Sequence, residues 1–328
     1  SSGNNSIKGF LKIKGNARLD RSAFLNVDTT LISDTSFLGK YGYDDRDRFL
    51  NSISFEKFSN RSSLKASTLY HTSLRDSNTV EPLVLPDLRY RKYRKFKKSG
   101  LFLLEKYSLV GISRREGTGY SRLSADLELS KSWQTENGLI VRGTGNILTA
   151  AYSENNINTE RYLLKVYPLG ALEFKYPFFR ARNNKSEVLI PVAQVVYSTD
   201  ASSPKRPIDE DSSTTEFDST TLFKLKKIPG IDRQENGLRL NAGLQYFYEY
   251  RNNYKYNVNL GQVYRNKNSE DFLPSSGLNG YESDILLSGN LSFRKNLEIA
   301  SKQVYSKNFT LKRSNTSLKI IKPRYQIK

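Results

Sequence analysis

Apolar and polar side chains alternate one by one along much of this chain. In residues 124–132, SADLELSKS, Ala125, Leu127 and Leu129 fall on one face and Asp126, Glu128 and Ser130 on the other. A helix would space its apolar residues three and four apart, so a period of two makes the segment a two-faced strand. The same texture recurs over residues 7–19, 23–32, 50–58, 64–73, 83–96, 101–113, 138–152, 162–176 and 187–198. After a gap it resumes over 238–250, 254–264, 284–294 and 304–312, giving about fourteen candidate strands in all. No repeat of fixed period appears, which argues against a propeller or a solenoid. Many segments exceed the roughly 5–6 residues of an ordinary strand. Long strands joined by alternately short and long connections favour an antiparallel transmembrane β-barrel over a sandwich.

No stretch approaches the run of about eighteen apolar residues that a membrane helix needs. If the chain crosses a membrane it does so with strands, because only a closed barrel otherwise satisfies every backbone group in lipid. The mean hydropathy of -0.61 is no objection. A large barrel has a wet lumen and wetter loops, so half of each strand is polar.

The absence of Cys removes disulfides and thiolate metal sites, and a single His71 removes most zinc, haem and triad chemistry. His71, within TLYHTSL, reads as a surface or turn residue without a catalytic role. Lys and Arg outnumber Asp and Glu 52 to 33, a net +19 that points to a polyanion: nucleic acid, anionic lipid or a phosphorylated glycolipid. The chain opens SSGNNSIKGF with no Met and no signal-peptide pattern, the expectation for an internal fragment or a processed chain.

One segment, residues 199–237, breaks the strand rhythm. About forty residues without strand pattern are functional, folded back on the barrel, or disordered. Phe217, Leu222, Phe223, Leu225, Ile228 and Ile231 supply apolar anchors that a disordered linker would lack, so the segment is expected to pack into the barrel.

Around this segment four motifs occur in order: PLGALEFKYPF (168–178), LIPVAQVVYS (189–198), PIDEDSSTTEFDSTTLF (207–223) and IPGIDRQENGLR (228–239). Together they resemble the C-terminal barrel domain of the LptD family of lipopolysaccharide-assembly proteins. SDTSFLGKYGYDDRDRF (33–49), VLPDLRYRKY (84–93) and SRREGTGYSRLS (113–124) are similar to earlier strands and turns of that family, so the resemblance runs from about Gly9 onward.

The resemblance implies a large barrel in the outer membrane of a Gram-negative bacterium, acting as a lipopolysaccharide translocon and not as an enzyme. It implies a plug lipoprotein (LptE-like) as partner and lateral release through a seam between the first and last strands. It also implies periplasmic bridge proteins that deliver lipopolysaccharide through an N-terminal jelly-roll, which is not apparent in this chain. The expectation is therefore a single barrel-domain fragment over residues 1–328. Two departures stand out. Without Cys the chain cannot form the family's disulfides, and its end, IKPRYQIK, lacks a terminal aromatic, as though it were an incomplete portion of a large barrel. The alternative is another outer-membrane barrel, porin-like or surface-binding, without lipopolysaccharide transport.

Within the loop, Asp209, Glu210 and Asp211, followed by Glu216 and Asp218, read either as paired carboxylates or calcium ligands, or as a polar loop that caps turns and pairs with barrel cations. The spacing lacks the EF-hand's central Gly and terminal Glu, and no nucleophile or base accompanies it. The expected role is loop and lumen shaping, with Asp209, Glu210, Asp211, Asp218 and Asp232 paired to inward Arg or Lys. Pro229 and Gly230 mark a tight turn, ahead of Asp232 and Arg233. No cofactor, metal or catalytic residue is expected. The run Arg89, Arg91, Lys92, Arg94, Lys95, Lys97 and Lys98, interleaved with Tyr90, Tyr93 and Phe96, is the one feature suited to nucleic acid, but it equally suits a strand leaving the membrane. Nucleic acid is not expected. Pro82, Pro86, Pro168, Pro177 and Pro191 are expected at strand ends or weakened pairs.

Overall fold

A computed structural model describes residues 9–34, 40–41, 46–74, 80–156, 159–202, 204–213, 215–251, 253–294, 296–322 and 325–327. Its strands form one sheet. They are β1 (Phe10–Asp20), β2 (Ala23–Ile32), β3 (Arg48–Ser59), β4 (Ser62–Ser73), β5 (Leu83–Phe96), β6 (Leu101–Ser113), β7 (Gly119–Gln134), β8 (Ile140–Asn156) and β9 (Thr159–Lys175). There follow β10 (Phe178–Arg182), β11 (Lys185–Ser198), β12 (Gly237–Tyr250), β13 (Tyr254–Arg265), β14 (Ile285–Phe293), β15 (Leu297–Tyr305), β16 (Leu311–Lys322) and β17 (Tyr325–Ile327). Among the described residues a short helix, α1 (Ser219–Leu222), lies between β11 and β12.

Almost every strand pairs antiparallel with the next in sequence, the meander of an up-and-down barrel wall. The exception is informative. β9 and β10 both pair with β11, Lys175 opposite Val192 and Phe178 opposite Leu189, so they are one strand line interrupted at Tyr176 and Pro177. That line turns into β11 through Asn183 (φ +49°) and Asn184 (φ +62°), a two-residue turn whose twist suits adjoining strands. Among the described residues β1 pairs only with β2 and β17 only with β16, so the sheet is open between them.

Turns at 21–22, 60–61 and 183–184 lie at one end of the sheet, and the longest described connections, within 199–236 and over 266–284, lie at the other. In outer-membrane barrels the short turns face the periplasm and the long loops the exterior.

Register decides which face is which. Glu56 lies opposite Lys65, Lys65 opposite Arg89, and Lys106 opposite Asp126, and the polar face so defined continues through Asn146, Lys165, Gln194 and Arg239. This face holds the long loop and is the lumenal one. On the opposite face Leu123 is 59% exposed, Leu172 48% and Trp133 45%, an apolar surface of the kind that faces lipid in outer-membrane barrels. Tyr162, Tyr197 and Tyr264 ring its long-loop end, and Tyr246, Tyr248, Tyr250, Tyr256 and Phe293 its short-turn end. Along β13, Tyr256 and Tyr264 are eight residues apart, roughly 27 Å of strand, which a tilt of about 40° reduces to about 20 Å. That span suits an apolar band of about 25 Å bounded by aromatic girdles.

Residues 304–312 are not one strand but the end of β15, a turn at 306–310 and the start of β16; the alternation of Phe309, Thr310, Leu311 and Lys312 runs from the turn into β16, and polar Ser306, Lys307 and Asn308 interrupt it. Pro168 and Pro191 lie inside β9 and β11 rather than at strand ends. A residue's N–H and C=O point to the same neighbour in an antiparallel ladder. The Pro168 carbonyl accepts from Thr199, just past the end of β11, and that of Pro191 from Tyr176, at the β9–β10 break, so neither missing N–H costs a ladder bond. His71 sits half-buried in β4 opposite Leu50, not in a turn. Residues 35–39 and 42–45 of the motif at 33–49, Ile7 at the start of the first expected strand, and Thr214 lie outside the described residues.

Candidate functional site

The described residues of 199–236 fold back along the lumenal face, and two carboxylates hold them in shape. Asp211 Oδ1 accepts from the backbone N–H of Ile231 (2.9 Å) and Asp232 (3.1 Å), and Asp232 Oδ2 accepts from those of Glu210 (2.9 Å) and Asp211 (3.2 Å). Gly230 makes this crossing possible. Its φ is +88°, and a Cβ there would lie 2.5 Å from the Asp211 carbonyl oxygen.

Three cations on or beside the strands hold the folded loop against the wall. Arg122 of β7 donates through Nη1 to Asp211 Oδ2 and Asp232 Oδ1, both at 2.6 Å, while Tyr120 donates its hydroxyl to Asp232 at 2.7 Å. Arg114, just beyond β6, forms a two-pronged pair with Glu210 at 3.0 and 2.8 Å. Lys165 of β9 reaches Asp200 at 2.6 Å. Burial by itself would push both central carboxyls up. For Asp211 the Arg122 guanidinium and two amides outweigh it and hold the group below the usual carboxylate value. For fully enclosed Asp232 burial prevails over Arg122, with Asp211 adding to it, and the group sits above that value.

Further along, the loop reaches deeper. Asp218 caps α1, accepting from the N–H groups of Thr220 and Thr221, and pairs with Lys302 of β15 at 3.2 Å. These contacts outweigh burial and push its carboxyl down to about 2. Lys227 is buried and donates to the carbonyls of Thr221, Leu222 and Lys224, at 3.1, 2.7 and 3.2 Å. It thus closes the end of α1 from within the loop, and burial drives its ammonium well below the usual lysine value. Gln194 of β11, four residues in from the strand end and therefore about 13 Å down the wall, donates to the Phe223 carbonyl at 3.1 Å.

The apolar anchors fill three lumenal clusters. Phe217, Leu222 and Ile228, with Phe223 against them, join Val263, Leu286 and Val304 from the wall and Phe272 and Leu278 from the second long loop. Ile231 packs on Tyr120, Ala150, Tyr152 and Leu163, and Leu225 on Leu169, Ala171 and Val196. Leu222 enters a notch left by two glycines opposite each other, Gly243 and Gly261; a Cβ on Gly261 would overlap Leu222 Cδ2.

Of the acidic positions singled out in the sequence, Glu210, Asp211, Asp218 and Asp232 contact wall cations. Glu216 is more loosely placed, 3.5 Å from Lys302 and 3.8 Å from Arg313. Asp209 instead meets Arg233 of the loop itself at 3.6 Å, and Arg233 continues to Asp271 of the second long loop at 3.7 Å. The carboxylates of Asp209, Asp211 and Asp232 lie within 4.8 Å of one another, but Arg122 and backbone amides already occupy the oxygens of the last two. Sequence reasoning missed Lys227 and the buried pairing of Glu235 with Arg239 (3.5 Å) and Arg265 (2.5 Å). The position of Lys226 and Lys227 between Leu225 and Ile228 was the available signal: charges inside an apolar run need partners.

No curated protein matches the chain. CdiB from Acinetobacter baumannii is structurally similar at 12% identity and a TM-score of 0.36, over 95% of this chain and 65% of that one. The family described as LptD, LPS transport system D, matches residues 6–326. Over nearly its whole length, therefore, this chain belongs to the LptD family and is its barrel domain.

Proposed function

We propose that the chain is the wall and lumenal loop of an outer-membrane translocon that inserts lipopolysaccharide into the outer leaflet of a Gram-negative bacterium. The observation that carries this reading is the family match over residues 6–326. A lipid-facing apolar surface, a polar lumen and a loop clamped inside that lumen support it. On this reading residues 1–328 form one barrel domain, a plug lipoprotein shares the lumen, and periplasmic bridge proteins deliver cargo through a separate N-terminal domain. Asp209, Glu210, Asp211, Glu216, Asp218, Pro229, Gly230, Asp232 and Arg233 shape the loop and through it the lumen. The work is differential solvation: sugars traverse a hydrated interior while acyl chains stay in lipid, and no bond is made or broken.

The test is fractionation of cells expressing the full-length protein, followed by its depletion and an assay of surface lipopolysaccharide. Outer-membrane location with loss of surface lipopolysaccharide is the expected result. Outer-membrane location with normal surface lipopolysaccharide would make it a porin-like or surface-binding barrel instead.

A further inference from the structure

Beneath the loop, toward the short-turn end, a cavity of about 740 Å³ lies between the loop and the wall formed by β3 to β7. Lys226, Ile228 and Ile231 of the loop are its roof. Six Lys or Arg side chains border it against three Asp or Glu, an excess of positive charge in a confined space.

The arrangement of those cations is unusual for a sheet. Lys65 lies directly opposite Arg89, and Arg91 directly opposite Lys106, so two like-charged cross-strand pairs stand side by side on the lumenal face. Such pairs destabilise a sheet. Lys65, Arg89 and Lys106 each have a carboxylate nearby, Glu56 at 3.0 Å, Asp87 at 2.8 Å and Asp126 at 3.1 Å, although Asp126 also serves Lys226 at 2.8 Å. Arg91, which borders the cavity, has neither an ion pair nor a side-chain hydrogen bond among the described residues. Its neighbours along the strand, Tyr90 and Lys92, point to the other face, so the register selects Arg91 for the lumen. A repulsive cationic patch with one unengaged guanidinium, roofed by apolar Ile228 and Ile231, is built for an anion carried on an amphiphile. Guanidinium and ammonium groups converging from adjacent strands suit the oxygens of a phosphate ester.

From this geometry we infer that the cavity is a phosphate-binding subsite for the phosphorylated saccharide headgroup of the glycolipid cargo, with Arg91 and Lys65 as its principal contacts. The inference rests on the translocon reading and adds a place where cargo pauses below the loop.

The experiment uses the full-length protein purified with its lipoprotein partner. Binding of lipopolysaccharide, of the same material after phosphatase treatment, and of inorganic phosphate is measured for wild type, for Lys65→Gln/Arg91→Gln, and for the outward-facing control Lys92→Gln. Expected is a loss of at least about tenfold in affinity for intact lipopolysaccharide in the double variant only, with the dephosphorylated form bound equally by all three. Because the substitutions remove like-charge repulsion, the fold should tolerate them. Equal binding of intact lipopolysaccharide by wild type and double variant overturns the subsite, as does a wild type that does not distinguish the two forms; both outcomes leave the translocon reading standing. Inorganic phosphate bound as tightly as lipopolysaccharide would make this a free-phosphate site. Loss of the lipoprotein from the double variant with unchanged glycolipid binding would make it a partner contact. A wild type that binds neither glycolipid form defeats the translocon reading itself.

Discussion

Asp211 and Asp232 cap each other's backbone, each carboxylate accepting from amides beside the other, and both then close on the single Nη1 of Arg122. The loop is therefore stapled to itself and to β7 at one point. Replacing Arg122 with Ala strands two carboxylates, one of them fully enclosed, at a cost of about 3–5 kcal/mol. The expected outcome for Arg122→Ala is rapid proteolysis of residues 199–236 in isolated outer membranes, with Arg122→Lys intermediate. Cleavage at the wild-type rate would mean that the loop is held elsewhere.

Leu222 sits in the notch between Gly243 and Gly261. Gly261→Val fills the space that Leu222 Cδ2 occupies, and overpacking of this kind costs about 1–3 kcal/mol. Leu222→Ala on its own leaves a void. Combined, the two changes should be less damaging than their sum, and a double-mutant cycle on loop protection measures the coupling. Additive effects would separate the two residues.

Asp218 makes docking of α1 depend on pH. Its carboxyl is pushed down to about 2, below its ordinary value of about 3.9, so its contribution is present above pH 4 and is lost as pH falls toward 2. Amide exchange at Thr220 and Thr221, corrected for intrinsic rates, should accelerate over that window in the wild type. In Asp218→Asn it should be fast already at neutral pH and change little across the window. An identical pH profile in both proteins would remove Asp218 from the mechanism.

Trp133, the chain's one tryptophan, reports which face meets lipid. It lies on the outward face near the short-turn end, with its ring over Gly143 and close to Leu172. The emission that Trp133→Phe removes should be quenched by lipids brominated near the head group and little affected by aqueous iodide. Strong iodide quenching without lipid quenching would invert the assignment of faces.

Much of the wall was legible beforehand. The alternation placed strands at 23–32, 83–96 and 101–113 with the boundaries that β2, β5 and β6 have, because lipid on one side and water on the other leave no other period for a strand. It failed at 304–312, where alternating Phe309, Thr310, Leu311 and Lys312 straddle the end of a turn. The apolar anchors of the loop were also legible, since Phe217, Leu222 and Ile228 have no reason to interrupt a solvated linker.

By itself the sequence determined that the chain is a two-faced all-β wall with one long acidic and apolar insertion, for local pattern suffices to specify a strand and its two faces. Which face is the lumen, and which cations it receives, was decided only by tertiary structure. A shift of one residue would exchange Arg91 for Lys92, and nothing local forbids it. Nor could local pattern join Asp232 to Arg122, 110 residues away, or set Lys227 against the end of α1. Those contacts exist because the folded wall excludes water from the loop, and buried charge then has to find its partner across the lumen.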